Sequence, residues 1–129
     1  MKSKLVFLSA VTAFFLLIIS RQTFSSSFGG DDGKKVTVTG EVVDMQCYAS
    51  GGAHGDSHKE CAAGCIKGGA PVGLLDKDGN VILLLKDEKD AGDYPKLADW
   101  ASQNVKVTGM QYDRGGIKSV VVSTVEAAK

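Results

Sequence analysis

The sequence predicts a small, mainly β domain that closes into a five-stranded barrel. Three observations lead to this fold class. Five β-branched or apolar runs are separated by turn signals, and two of the runs share a glycine at the same position. A short cysteine-bearing segment with helix signals interrupts the order after the first run. A second stretch, with apolar residues at helical spacing, lies between the third and fourth runs.

The first 27 residues are predicted to be a signal peptide or an N-terminal membrane anchor. Residues 5–20 carry no charge and follow the basic start MKSK, which is the layout of an export signal. The run is shorter than the roughly 20 apolar residues of a membrane-spanning helix. Either form predicts an exported domain, periplasmic or secreted, which an uncleaved segment would tether to the inner membrane. Residues 28–35, rich in glycine and charge, are expected to be a flexible linker.

Residues 36–127 are predicted to form the domain itself. The stretch KKVTVTGEVVDM alternates, which predicts a strand over 36–43 with a bend at Gly40. Two apolar runs flank the turn signal DGN at 78–80 and predict a hairpin. The second of them, VILLL, is continuous and predicts a strand buried on both faces. The stretches VKVTGMQYD and IKSVVVSTVEA, separated by a glycine turn, predict the last two strands.

A helix between the third and fourth strands is predicted from DAGDYPKLADWASQN. Leu97, Trp100 and Ala101 recur at helical spacing and are expected to face the core. Asp93 is a candidate N-cap, a proline two positions later suits the first turn, and Asn104 is a candidate end.

The predicted order of elements matches the five-stranded Greek-key barrel called the OB-fold. The nine residues VTVTGEVVD, at 36–44, are echoed by VKVTGMQYD at 105–113. A glycine at the same position in two strands is typical of the sharp bends by which the strands of a small barrel close its wall. A small α+β sandwich is the alternative.

The segment HGDSHKECAAGCIKGG, residues 54–69, concentrates both histidines and two of the three cysteines. Its S-x-x-E pattern is that of a capping box with Ser57 as the cap, and two glycines followed by a proline form a stop signal. A helix is therefore predicted over 58–67. At about 100° per residue, one face of this helix carries three candidate ligands: His58, Cys61 and Cys65.

Cys47, at the end of the first predicted strand, completes a Cys₃His set, the number and type of ligands that a closed zinc site uses. The predicted metal ligands are Cys47, His58, Cys61 and Cys65. Zinc is the first choice of ion, and copper and iron are the alternatives. His54 is an additional candidate ligand, although a solvated loop position is the commoner case. Asp44 could accept a hydrogen bond from a histidine ring.

Two other interpretations of the cysteines stay open. In an exported protein, a disulfide from Cys47 to Cys61 or to Cys65 would stabilise by about 3 kcal/mol through loop closure. Thiol redox chemistry is third, because the sequence has no C-x-x-C motif. The odd number of cysteines favours the metal site, since one structural disulfide leaves a thiol without a use.

Composition and motifs exclude several classes of function. Beyond Arg21 the chain carries three more acidic than basic side chains, and aromatic residues make up 7% of it. This balance disfavours binding of nucleic acid. Phosphate-loop, nucleophile-elbow and zinc-protease motifs are absent from the sequence. The sequence predicts a metal-binding module that is not an enzyme in its own right. Its only predicted membrane contact is through residues 5–20, if that segment is uncleaved.

The stretches GEVVDMQC and HKECAAGCIKGGAP, followed by strands that end in VKVTG, resemble a family of small exported bacterial proteins with no assigned function. The family pattern is G-x-[IV]-x-D-x-x-C followed by H-x-x-C-x-x-x-C. The matching positions are Gly40, Asp44, Cys47, His58, Cys61 and Cys65. The resemblance spans about residues 36–125. It implies an extracytoplasmic OB-like domain with a Cys/His centre and implies no reaction.

Overall fold

The computed structural model of the protein describes residues 33–129. The predicted signal or anchor, residues 1–27, and most of the predicted linker lie outside the described residues. Within the described part of the chain, no helix is long and apolar enough to cross a bilayer. The first strand begins at Lys34 rather than at Val36, so the last two residues assigned to the linker belong to the sheet.

Five strands form the framework of the described chain. They are β1 (Lys34–Asp44), β2 (Val72–Leu75), β3 (Val81–Leu85), β4 (Asn104–Arg114) and β5 (Ile117–Ala127). The connection from β1 to β2 holds α1 (Met45–Gly51), a 3-10 helix (Asp56–His58) and α2 (Lys59–Lys67). The connection from β3 to β4 holds a second 3-10 helix, Tyr94–Trp100.

The strands close into a barrel in the order β1-β2-β3-β5-β4. Neighbouring strands are antiparallel except for β3 and β5, which are parallel. The mainly β, five-stranded barrel predicted from the sequence is thereby confirmed. The predicted hairpin is also confirmed, since Leu75 of β2 pairs with Val81 of β3 across the turn at 76–80.

Two glycines allow close approach of backbones in the barrel wall. At Gly40, where β1 changes its partner from β4 to β2, a Cβ atom would press on the carbonyl oxygen of Leu75. At Gly109, a Cβ atom would press on the carbonyl oxygen of Val121, and the register of β4 and β5 shifts directly before this residue. The echoed glycines therefore mark positions at which the wall tolerates no side chain.

Replacing Gly109 with alanine is expected to lower the free energy of unfolding by about 1–3 kcal/mol, because the added methyl group meets backbone that cannot move aside. Urea denaturation of the reduced, metal-free protein measures the change. The control is Gly64→Ala, at an exposed helical position where the added carbon has no atom within 4 Å other than the backbone of its own helix and its chain neighbours. That variant is expected to be about 0.5–1 kcal/mol more stable. Equal destabilisation by both substitutions would contradict the steric explanation.

The core fills the inside of the barrel with apolar side chains from every strand. Its buried members are Val42, Val72, Leu74, Ile82, Leu84, Leu97, Val105, Val107, Val120, Val122 and Val125. In β3 the buried residues are Ile82 and Leu84, whereas Leu85 is exposed. The prediction that this strand is buried on both faces is therefore wrong, because the run VILLL forms one wall of a barrel with an inner and an outer side.

The helix predicted before β4 is a 3-10 helix. It begins where predicted, with Asp93 at the N-cap position and a proline in the first turn, but it ends at Trp100 rather than at Asn104. Leu97 is fully buried and Trp100 packs partly against the core, as the spacing predicted. Asp93 does not cap the helix with its side chain. Its carboxylate accepts hydrogen bonds from the Lys96 ammonium at 2.6 Å and from the Val125 N–H at 3.0 Å. Asn104 is the first residue of β4.

Ser102 is held in an unfavourable backbone conformation between the second 3-10 helix and β4. It has a φ of 56°, its N–H donates to the Val42 carbonyl at 2.8 Å, and it is buried. Its hydroxyl has no hydrogen-bond partner among the described residues. Ser102→Gly is therefore expected to raise stability by about 1 kcal/mol, which thermal and urea unfolding can measure. Ser102→Ala, which keeps the backbone strain, is expected to gain less. A glycine variant no more stable than the alanine variant would contradict this interpretation.

Candidate metal centre

Cys47 is positioned by α1, a short helix that the sequence interpretation missed. The helix starts where β1 ends, because the Asp44 side chain acts as its N-cap and accepts the Cys47 N–H at 2.8 Å. It ends at Gly51 and is capped by Gly52, which has a left-handed conformation and donates to the Tyr48 carbonyl at 2.7 Å. The sequence signal for α1 was this aspartate followed eight residues later by a glycine.

Cys61 and Cys65 are positioned by α2, whose core matches the helix predicted over 58–67. The predicted capping box is wrong, because Ser57 lies in the preceding 3-10 helix and His58 is the N-cap residue. The stop signal is confirmed: α2 ends at Lys67, and the glycines that follow it close the turn. The two cysteines are one helical turn apart, so both sulfur atoms project from the same side of α2.

The three cysteines converge although they come from two helices. The Sγ atoms of Cys47, Cys61 and Cys65 all lie within 4.8 Å of one another, and all three residues are free thiols. Cys61 is exposed, and the other two are partly buried. Sulfur ligands of one tetrahedral zinc ion are about 3.8 Å apart at a Zn–S distance of about 2.3 Å. Small side-chain rotations therefore suffice to bring these thiols around a single ion.

A second group of three donors shares Cys47 with the first. It consists of Asp44, Cys47 and His58, whose donor atoms also lie within 4.8 Å of one another. The His58 Nε2 is 3.0 Å from the Asp44 Oδ2, and the exposed fractions of these side chains are 17% and 0%. Among the described residues, His58 is grouped with Cys47 but not with Cys61 and Cys65. The structure therefore brings three of the four predicted ligands together and places the fourth beside one of them.

His54 belongs to neither of these groups. Its Nδ1 is 3.3 Å from the Glu41 Oε2, its side chain is 49% exposed, and its ring meets the Tyr48 ring edge-on at 6.1 Å. The structure thus does not place this additional candidate with the thiols. The loop position that the glycine-rich sequence suggested is the better description.

The electrostatics of the centre favour an ionised Asp44 carboxylate and protonated thiols at Cys47 and Cys65. Burial opposes ionisation of Asp44, but hydrogen bonds from the Cys47 N–H and from His58 outweigh it and lower the pKa of the carboxyl. The hydrogen bond to Asp44, with burial, raises the pKa of the Cys47 thiol to about 12. Burial is the main cause that raises the pKa of Cys65. An arriving ion must therefore displace protons from Cys47 and Cys65, and these two thiols are poor nucleophiles without it.

The raised pKa of Cys47 predicts a loss of stability in alkali for the reduced, metal-free protein. The thiol keeps its proton more strongly in the folded state, so its contribution is complete below the ordinary pKa of 9.0 and is lost as pH rises towards about 12. Urea unfolding at a series of pH values measures the decline. Cys47→Ser, which does not titrate in this range, is expected to decline less. Parallel declines of the two proteins would show that other groups cause the effect.

Comparisons with known proteins add no relative to this chain. No family model matches it, and no curated protein or solved structure shows significant similarity. The resemblance to a family of small exported OB-like proteins therefore stays a prediction, and the candidate centre is interpreted from its own geometry.

Proposed function

We propose that this protein is an exported metal-binding module whose ion is held by the thiolates of Cys47, Cys61 and Cys65, with His58 as the fourth ligand. The observation that carries the proposal is the convergence of three sulfur atoms, from two helices, within 4.8 Å. Three thiolates and one imidazole are a donor set typical of zinc. Zinc is therefore the first choice of ion, and cuprous copper or iron would also accept these soft ligands.

The weak packing of the two helices supports a structural role for the ion. No residue of α1 is buried, and Ala62 is the only buried residue of α2. Ile66 of α2 also packs against the core, but fully buried apolar side chains are few in these helices. An ion shared between the helices would join both to the end of β1. Because the ion binds only the state that assembles its ligands, its binding free energy stabilises this state.

The barrel is proposed to be OB-like. The strand order β1-β2-β3-β5-β4, with parallel pairing of β3 and β5, supports this class. The helices α1 and α2 between β1 and β2, and the second 3-10 helix before β4, also support this class. Binding of single-stranded nucleic acid is not proposed, since the chain is acidic beyond residue 21 and poor in aromatic residues.

A structural disulfide is the second candidate, and the same sulfur proximity favours it. Cys47 could pair with Cys61 or with Cys65, which would link α1 to α2 and leave one thiol. A bridge between Cys61 and Cys65 is disfavoured, because one helical turn does not aim two sulfur atoms at each other. Export to an oxidising compartment would make either Cys47 disulfide accessible.

Mass measurement under non-denaturing conditions, combined with thiol titration, separates the two candidates. The full chain is reduced, supplied with zinc and freed of excess ion before measurement. Metal binding predicts one zinc ion per chain and three reactive thiols after chelation and unfolding. A chain that retains no metal, is lighter by two hydrogen atoms after exposure to air and shows one thiol would establish the disulfide instead.

A further inference from the structure

Asp44 touches both of the helical segments that carry the candidate ligands. One carboxylate oxygen accepts the Cys47 N–H at 2.8 Å, and the other lies 3.0 Å from the His58 Nε2. The side chain is completely buried. We infer that Asp44 is the positioning residue of the metal centre, which holds His58 through its Nε2–H and leaves Nδ1 as the ring atom that binds the ion. This inference rests on the proposed metal-binding function.

The choice of ring atom follows from hydrogen-bond chemistry. A carboxylate has no proton to donate, so the proton in its contact with His58 belongs to Nε2. A neutral imidazole carries a single N–H, and its lone pair is then on Nδ1. A histidine that binds a metal commonly donates its other ring N–H to a carboxylate, which orients the ring and strengthens it as a donor.

Asp44 also connects the starting points of the two helices. It is the N-cap of α1, which carries Cys47, and His58 is the N-cap of α2, which carries Cys61 and Cys65. One buried carboxylate thus caps α1 and holds the side chain of the residue that precedes α2. This contact links the segment of Cys47 to the segment of Cys61 and Cys65 before an ion binds.

A similar contact elsewhere in the chain supplies a matched control. Glu41 accepts the Gly55 N–H at 2.5 Å with one oxygen and lies 3.3 Å from the His54 Nδ1 with the other. His54 is about half exposed and lies outside both donor groups. Glu41 and His54 therefore repeat the chemistry of Asp44 and His58 without contact with the thiols.

The test compares zinc affinities of the full, reduced chain by competition with a chromophoric chelator. In Asp44→Asn the cap of α1 is kept, because asparagine is also a good N-cap. Loss of the second acceptor oxygen is expected to weaken zinc binding about 10- to 100-fold. His58→Ala is expected to weaken zinc binding at least as much. The double variant is expected to bind zinc no more weakly than the weaker-binding of the two single variants. Glu41→Gln and His54→Ala are expected to bind zinc like the wild type.

Wild-type affinity in Asp44→Asn would overturn the inference, and so would losses that multiply in the double variant. Nitrogen-15 NMR of the zinc-loaded wild type gives a readout independent of any variant's folding. The expected spectrum shows His58 with Nδ1 bound to zinc and a proton on Nε2. Coordination through Nε2 overturns the role of Asp44 but leaves the proposed function intact. A free His58 ring while three thiols hold zinc overturns the role of Asp44 and of His58 as the fourth ligand, but leaves metal binding by the three thiolates intact. Absence of zinc binding by the wild type defeats the proposed function itself.

Discussion

Replacing any one of Cys47, Cys61 and Cys65 with serine is expected to abolish stoichiometric zinc binding. Each substitution removes one of three thiolates that no other described cysteine can replace. The zinc-dependent part of the stability is expected to disappear with it, about 4 kcal/mol when free zinc exceeds the dissociation constant a thousandfold. Thermal unfolding of each variant, with zinc and with a chelator, measures this difference directly.

The pattern across the three positions distinguishes the metal from a disulfide. Metal binding predicts large losses of similar size at all three cysteines, reproduced in the wild type by the chelator. A disulfide predicts that either Cys61→Ser or Cys65→Ser has almost no effect and that chelation changes nothing. His54→Ala is the control and is expected to leave zinc binding and stability unchanged. If replacement of any one of the three cysteines left zinc binding and stability unchanged, that result would contradict the metal centre.

Asp44→Ala is expected to destabilise the metal-free protein by about 2–4 kcal/mol. Loss of an N-cap costs about 1 kcal/mol, and loss of a hydrogen bond to a charged group costs about 1.5–3 kcal/mol. The substitution removes both the contact with the Cys47 N–H and the contact with His58. Urea unfolding of the reduced protein in the presence of a chelator isolates this effect from that of the ion.

Two further variants give this prediction its controls. Asp44→Asn keeps the cap and is expected to lose less stability than the alanine variant. Glu41→Ala removes a comparable but more exposed pair of contacts and is also expected to lose less. If Asp44→Ala unfolds at the same urea concentration as the wild type, the buried carboxylate does not hold α1 and His58 in place.

The strands were predictable because their signals are local. Alternation along β1 and β4, the turn before β3 and the paired glycines each follow from a few adjacent residues. Burial of β3 was mispredicted, since continuous hydrophobicity does not show whether a second layer covers the outer face. The 3-10 form of residues 94–100 was also missed, because spacing over two turns hardly distinguishes it from an α-helix.

The candidate centre was predictable in part. Cys61 and Cys65 lie inside α2, where helical periodicity correctly placed them on one side. His58 was assigned to the same face on the assumption that it is helical, but it precedes α2 as the N-cap and meets Asp44 instead. Whether Cys47 comes close to Cys61 and Cys65 depends on the path of the chain through α1. A sequence pattern alone does not determine that path.

X-ray absorption at the zinc edge of the zinc-loaded protein tests the metal centre most directly, because it counts the atoms that bind the ion. Three thiolates and His58 predict three sulfur atoms at about 2.3 Å and one nitrogen at about 2.0–2.1 Å. Cys61→Ser, if it retains any ion, is expected to show fewer sulfur atoms and so assigns the signal to this site. A spectrum of the wild type with fewer than three sulfur neighbours would contradict a centre built from Cys47, Cys61 and Cys65.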